Sequence, residues 1–156
     1  MRARGFTLVE LLVTLAIVGI LASAALPLAE LAVQRQKEME LSRSLREIRT
    51  ALDAHKKAWD EGRMEKKVGQ SGYPPTLETL VQGVVDAKDP QKKRIYFLRR
   101  LPADPFHDGE PAPPAQTWGK RSYASPPDAP AEGADVFDVY SRSTRAGLNG
   151  IPYRQW

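Results

Sequence analysis

The chain has 156 residues, 23 Lys and Arg against 19 Asp and Glu for a formal net charge of +4, and no cysteine. That excludes disulfide staples, zinc–thiolate and iron–sulfur centres and thiol catalysis, and two histidines, His55 and His107, leave little material for metal or triad chemistry. The 42% hydrophobic fraction would suit one ordinary soluble domain, but the apolar residues are unevenly placed, and of thirteen prolines only Pro27 precedes Pro74.

Residues 1–5, Met-Arg-Ala-Arg-Gly, form a short basic leader. Residues 6–9 are uncharged, Glu10 follows, and nineteen uncharged residues then run from 11 to 29. As a helix at ~1.5 Å per residue, that run is about 28 Å long, close to the hydrocarbon thickness of a bilayer. Arg2 and Arg4 ahead of it place the N-terminus in the cytoplasm by the positive-inside rule, with the chain beyond about residue 30 on the far side. Three readings compete. Ala22-Ser23-Ala24 has the A-x-A form of a signal cleavage site, and a signal anchor that stays in place is the second reading. Neither explains Glu10. A carboxylate costs about 2.5–3.5 kcal/mol at the centre of a spanning helix and less near its end, so it calls for a partner or a function.

The third reading is a family resemblance. Gly5-Phe6-Thr7-Leu8-Val9-Glu10-Leu11-Leu12-Val13 resembles the processing motif of type IV pilins and pseudopilins. The resemblance implies that a prepilin peptidase cuts between Gly5 and Phe6, that Phe6 carries the methylated amine, and that Glu10 is the carboxylate used in subunit assembly. Pro27 matches a helix-bending proline that the family often carries further along. The chemistry of Glu10 can be stated independently. After the cut the chain starts with a positive amine at the edge of an apolar helix, and the carboxylate of a neighbouring subunit can pair with it. Either charge is costly when buried alone, so the pair favours one axial register. Loss of Arg2 and Arg4 with the leader lowers the formal charge from +4 to +2. Gly19 and Ser23 form a small-xxx-small pair that permits close helix approach, or are ordinary membrane-helix residues. Pro27 removes a backbone donor and bends or locally melts the helix, or marks its exit from the bilayer.

From residue 28 to about 60 there is neither glycine nor proline. Leu41, Leu45, Ile48, Leu52, His55 and Trp59 follow alternating spacings of four and three, which predicts one apolar helix face, with Arg43, Arg46, Glu47 and Arg49 largely elsewhere. Arg43–Glu47 and Asp53–Lys57 are candidate i,i+4 pairs, and Gly62 is a stop signal. A half-apolar helix of this kind is expected to pack on a sheet; His55 interrupts the short seam that a coiled coil would need and reads as a packed or edge histidine. Residues 61–73 read as a polar loop. A short helix is expected after Tyr73-Pro74-Pro75, capped by Thr76, with Leu77, Leu80 and Val81 buried. Strands are expected at about 95–98, 121–124 and 136–141, joined by proline-rich loops.

The fold class is therefore α+β: a long N-terminal helix, half membrane-spanning and half amphipathic, packed on a small antiparallel sheet in a pilin-like arrangement. The expected divisions are a cleaved leader at 1–5, a transmembrane assembly helix at 6–29, an amphipathic helical spine at 30–60, and a head at 61–156. The head is small, so its core relies on the spine's face.

The head also resembles one branch of the family. Tyr73-Pro74 with Leu77 and Leu80, then Leu101-Pro102-Ala103-Asp104-Pro105-Phe106, then Phe137-Asp138-Val139-Tyr140-Ser141 are similar in order to the major pseudopilin of type II secretion, with Phe106 where tryptophan is usual. The absence of cysteine fits a pseudopilin better than a type IV pilin, whose head often carries a disulfide. Major pseudopilins typically bind calcium in the loop after the last strand. Here no Asp or Glu follows Asp138, and the loop over 141–149 is basic. A hard dication wants carboxylate oxygens, so no calcium and no other cofactor is expected, the loop being held by hydrogen bonds and by Tyr153 and Trp156.

No nucleophile elbow, phosphate-binding loop, dinucleotide fingerprint or EF-hand pattern is present, and Gly69-Gln70-Ser71-Gly72 reads as a loop. His107-Asp108-Gly109-Glu110 reads as a charged turn rather than a metal site. Gln91-Lys92-Lys93-Arg94 and Arg99-Arg100 flank Tyr96 and Phe97. Cations and aromatics suit single-stranded nucleic acid, but a strand with solvated basic ends is the simpler reading.

The expected function is structural, not enzymatic. The resemblance implies a subunit of a type II secretion pseudopilus, held in the bacterial inner membrane by one helix with its head in the periplasm. It would polymerise with copies of itself and with minor pseudopilins on an inner-membrane platform driven by a cytoplasmic ATPase, and so help push folded proteins across the outer membrane. A type IV pilus or competence subunit is the alternative.

Overall fold

The computed structural model describes residues 6–156, apart from the side chains of Ala24 and Leu26. The chain forms two compact units that divide between Lys37 and Glu38. Helix α1 spans Leu8–Asp60. From residue 28 to its end it contains neither glycine nor proline, and Gly62, at φ 68°, stands just past its end in the left-handed conformation that terminates many helices.

In the first unit, the described large apolar side chains of α1 are exposed, Leu8, Leu11, Leu15 and Val18 among them. This stretch is long and apolar enough to cross a membrane. The helix continues through Pro27, which has no N–H to offer the Ser23 carbonyl four residues earlier. Ser23 turns its hydroxyl back to the Ile20 carbonyl at 2.7 Å, and Thr14 does the same to Leu11 at 2.9 Å. Both polar groups are thereby satisfied within the helix, as an apolar surrounding demands.

In the second unit, Glu38–Trp156, the expected face of α1 is the buried one. Leu41, Leu45, Ile48 and Leu52 are almost fully buried, and Ser44, Ala51 and Ala58 widen the stripe. They complete one core with Leu77, Leu80, Phe106, Trp118, Val139 and Tyr153. The ion pairs near the helix end are Lys56–Asp60 at 2.5 Å and Lys57–Glu61 at 4.0 Å. They replace the Asp53–Lys57 pairing expected from spacing; among the described residues Arg43–Glu47 forms no ion pair either.

His55 lies on this face, 4% exposed. Its Nδ1 donates to the Gly72 carbonyl at 2.9 Å and its ring lies 5.2 Å from that of Phe97. Gly72 sits at φ +90°, and a Cβ there would approach the Trp59 ring to 2.6 Å, so only glycine brings this carbonyl to the imidazole. Burial pushes the His55 pKa below its ordinary 6.5, the Gly72 hydrogen bond opposing in part. As pH falls past about 6.5 the unfolded chain binds a proton that the folded chain refuses. Stability is therefore full above that value and declines below it, until the folded-state pKa is passed. The thermal midpoint of the purified chain is expected to fall between about pH 7 and pH 5, and His55→Gln to flatten that slope; an unchanged slope in the variant contradicts the assignment.

The short helix α2 is Glu78–Gln82, with Leu77 at its N-cap and no side-chain cap. Thr76 stands one residue too early to cap it; its hydroxyl meets that of Thr79 instead, at 3.3 Å. Leu77 and Leu80 are fully buried, as expected. The expected strand at 95–98 is largely absent. A hairpin forms from β1, Val84–Val85, and β2, Arg94–Ile95, paired antiparallel with Val84 opposite Ile95. The chain leaves β2 because the amides of Phe97 and Leu98 both donate to the Leu80 carbonyl, each at 3.0 Å. Tyr96 is exposed and Phe97 half-buried, outside any strand.

The other two strands each differ from expectation by a few residues. Helix α3, Pro114–Thr117, begins on a proline whose fixed φ suits a first helical turn, and leads straight into β3, Trp118–Arg121. β3 pairs antiparallel with β4, Asp138–Ser141, placing Gly119 opposite Tyr140. The Tyr140 ring covers Gly119 and leaves no room for a Cβ there. Beyond these ends the amides turn elsewhere: Ser122 donates to Ala131 at 2.9 Å, and Val136 to Pro74 at 2.8 Å. Among the described residues, four short strands in two separate antiparallel pairs thus replace the single sheet of about three. A 3₁₀ turn, Tyr153–Gln155, ends the fold.

Candidate functional site

The sequence motif points first to the head of α1. Gly5 and the basic leader lie outside the described residues. Phe6 is 82% exposed. Thr7 immediately precedes the helix and Glu10 lies in its first turn. The Thr7 hydroxyl accepts the Glu10 amide at 3.2 Å, and Glu10 Oε2 accepts the Thr7 amide at 3.2 Å and its hydroxyl at 3.3 Å. This is a reciprocal capping box, which satisfies two amides that a helix start leaves unpaired. The carboxylate also meets the positive end of the helix dipole. Oε1 of Glu10 makes no hydrogen bond among the described residues, so the cap leaves one carboxylate oxygen available. Thr7 was not singled out by the sequence reading, although Thr-x-x-Glu before an apolar run is a recognisable signal. Pro27 lies inside α1, on the exposed apolar part of the helix.

The blocks that carried the resemblance in the head meet in space. Asp104 is 4% exposed. Its Oδ2 accepts the Ser141 hydroxyl at 2.6 Å and its Oδ1 the Phe106 amide at 2.9 Å. Trp118 Nε1 donates to the Pro102 carbonyl at 2.8 Å. Phe106, in place of the usual tryptophan, stacks on Tyr153 with centroids 4.0 Å apart.

Arg49, expected on the solvated side of α1, reaches the sheet instead. Its Nε donates to Asp138 Oδ1 at 2.8 Å and its terminal nitrogen to the main-chain oxygens of Trp156 at 2.8 Å and Val139 at 3.2 Å. Arg121 approaches the other Asp138 oxygen at 3.7 Å. Asp86 makes a second such tie. It accepts Arg63 at 2.5 Å, and that bond, with the Lys88 amide, holds its carboxyl below the usual range.

His107, Asp108 and Glu110 form the expected turn, with the His107 ring 3.2 Å from the Glu110 carbonyl. Among the described residues no group of three or more metal-ligating side chains comes together. Arg43, Arg46, Arg99 and Arg100 rim an open cavity of about 860 Å³ floored by Ala51 and Leu98.

Comparisons with known proteins identify relatives by sequence. Residues 1–26 match the prokaryotic N-terminal methylation motif. The chain is 30% identical over 107 residues to type II secretion system core protein G of Klebsiella michiganensis, covering 66% of this chain and 68% of that protein. The protein of the same name from Klebsiella pneumoniae is 32% identical over 110 residues, 67% of this chain and 70% of the relative. The one from Dickeya chrysanthemi is 29% identical over 109 residues, and the match spans 64% of its length. No solved structure matches the chain. With the N-terminal motif, an apolar helix and a head whose distant blocks close on one another, the chain belongs to the type II secretion system core protein G family.

Proposed function

We propose that the chain is the major-type structural subunit of a type II secretion pseudopilus. The observation that carries this reading is the head of α1. A carboxylate is held by Thr7 at the tip of a helix whose described apolar side chains are exposed. Such a surface is stable in a bilayer or against copies of itself. The prepilin peptidase cuts after Gly5 and Phe6 becomes the methylated N-terminus. The subunit then waits in the inner membrane, with the head on the periplasmic side. On extraction, the free Oε1 of Glu10 receives the Phe6 amine of a neighbour, and the apolar helices pack side by side in the filament core. Pro27 bends the helix where it lacks the Ser23 bond.

The subunit itself is a building block, not a catalyst. Its partners are further copies, minor pseudopilins, the peptidase, and an inner-membrane platform with a cytoplasmic ATPase that supplies the energy. The output is transport of folded proteins across the outer membrane. Nucleic acid has no part in this reading, in which the basic stretch around Tyr96 and Phe97 is solvated surface.

The test is mass spectrometry of the mature chain from cells that carry the secretion machinery. A chain beginning at N-methylated Phe6 is expected. A chain beginning at Ala25 overturns the reading, because a cut there discards both Glu10 and the apolar helix.

A further inference from the structure

The C-terminal loop after β4 is where this chain departs from what its family implies. A calcium ion needs several free oxygens, at least some of them carboxylate. Here several of the loop's oxygens already accept protein hydrogen bonds. The Arg145 carbonyl accepts the Tyr153 amide at 3.1 Å, the Gly147 carbonyl the Gly150 amide at 2.9 Å, and the Ile151 carbonyl the Gly147 amide at 2.9 Å. Asn149 Oδ1 accepts the Ile151 amide at 3.0 Å. Both oxygens of Asp104 are taken, and no Asp or Glu follows Asp138. The loop carries positive charge instead: the Arg145 guanidinium lies 5.7 Å from the centroid of the Phe106 ring. The residues present do not fit a calcium ion.

One carboxylate does reach the loop, from the opposite end of the sequence. Glu38, on α1, accepts the Leu148 amide at 2.8 Å and the Tyr153 hydroxyl at 2.9 Å, both on Oε1. These bonds join residues 110 and 115 positions apart. Tyr153 is fully buried and Leu148 exposed, so Glu38 ties the loop's exposed side to its buried side. A charged acceptor makes a stronger hydrogen bond than a neutral one, and closing a loop is where such a tie gains most.

We infer that Glu38 is the latch of the C-terminal loop, a carboxylate on α1 that orders the loop without a bound metal ion. The inference does not depend on the proposed function. The loop of the detergent-purified full-length chain closes in calcium-free buffer and stays closed. Glu38→Ala opens it locally, because the buried core on the Tyr153 side remains. Glu38→Gln retains a carbonyl acceptor and keeps it largely shut.

Two measurements test this. First, the thermal midpoint of the wild-type chain is read in excess EGTA and in excess calcium chloride. Equal midpoints are expected; a rise with calcium overturns the inference. Second, hydrogen exchange is followed at the Leu148 amide. Glu38→Ala is expected to speed it roughly tenfold or more, the equivalent of one charge-assisted bond, and Glu38→Gln to restore most of the protection. Unchanged exchange in the alanine variant overturns the latch, whatever its effect on global stability.

Discussion

A Glu10→Ala subunit is expected to reach the membrane in normal amount and to yield at least ~100-fold less filament than the wild type. Insertion depends on the apolar run, which the substitution lengthens. In the proposed filament, assembly depends on the charge that meets a neighbour's amine. Leaving one member of a buried pair alone costs about 3–5 kcal/mol, on the order of a 10²–10³-fold change in an association constant. The capping box provides a rival explanation, because alanine also removes the acceptor of the Thr7 amide and hydroxyl. Loss of a cap costs only about 0.5–2 kcal/mol. Two further variants separate the causes. Thr7→Ala breaks the box and keeps the charge; Glu10→Gln keeps an acceptor and removes the charge. Glutamine is expected to fail like alanine, and Thr7→Ala to lose about tenfold or less. Wild-type yield from Glu10→Gln, measured in the fraction sheared from cells, refutes the pairing.

The parts of this fold that were legible in the sequence are those dictated by local patterns. The apolar face of α1 shows as a period of three and four from Leu41 to Trp59, and a helix that long needs no tertiary support to be recognised. Its end near Asp60 follows from Gly62. The N-terminal methylation motif is equally local, and the Thr7 cap has a local signal as well, Thr-x-x-Glu, though it was not among the expected features. The strands were less legible because two to four residues carry too little alternation to separate a strand from its flanks. Tyr96 and Phe97 look like strand residues, yet the Leu80 carbonyl draws the chain off the ladder just after Ile95. Val84–Val85 is too short to announce itself. The ties that close the head were not legible at all. Glu38 to Leu148, Arg49 to Asp138 and Ser71 to Asp135 join residues far apart in sequence. Nothing in the neighbourhood of Arg49 marks it as different from Arg43 or Arg46; the difference lies in what the fold places opposite it.

Asp104 is the same kind of residue, and its replacement is expected to have the largest effect in the head. It sits in the Leu101–Phe106 block, where its sequence context suggests only a turn before proline. In the fold it is buried and accepts from both the Ser141 hydroxyl and the Phe106 amide. Its own amide donates to Thr117 Oγ1 at 3.0 Å, and that hydroxyl donates to the Pro114 carbonyl at 2.7 Å. One side chain thus fixes the end of β4 and the backbone that aims Phe106 at Tyr153. Asp104→Ala leaves two buried donors without acceptors, each costing about 1–3 kcal/mol. A total near 3 kcal/mol is a large share of the ~5–15 kcal/mol that holds a domain together, and lowers the thermal midpoint by roughly 10 °C. Asp108→Ala, on an exposed turn four residues on, is the control and is expected to stay within about 0.5 kcal/mol of the wild type. If the two contacts act as a unit, Ser141→Ala added to Asp104→Ala costs less than it does alone, because the hydroxyl has already lost its acceptor. Additive losses, or a midpoint for Asp104→Ala equal to that of the control, contradict the assignment of Asp104 as the residue that joins the two blocks.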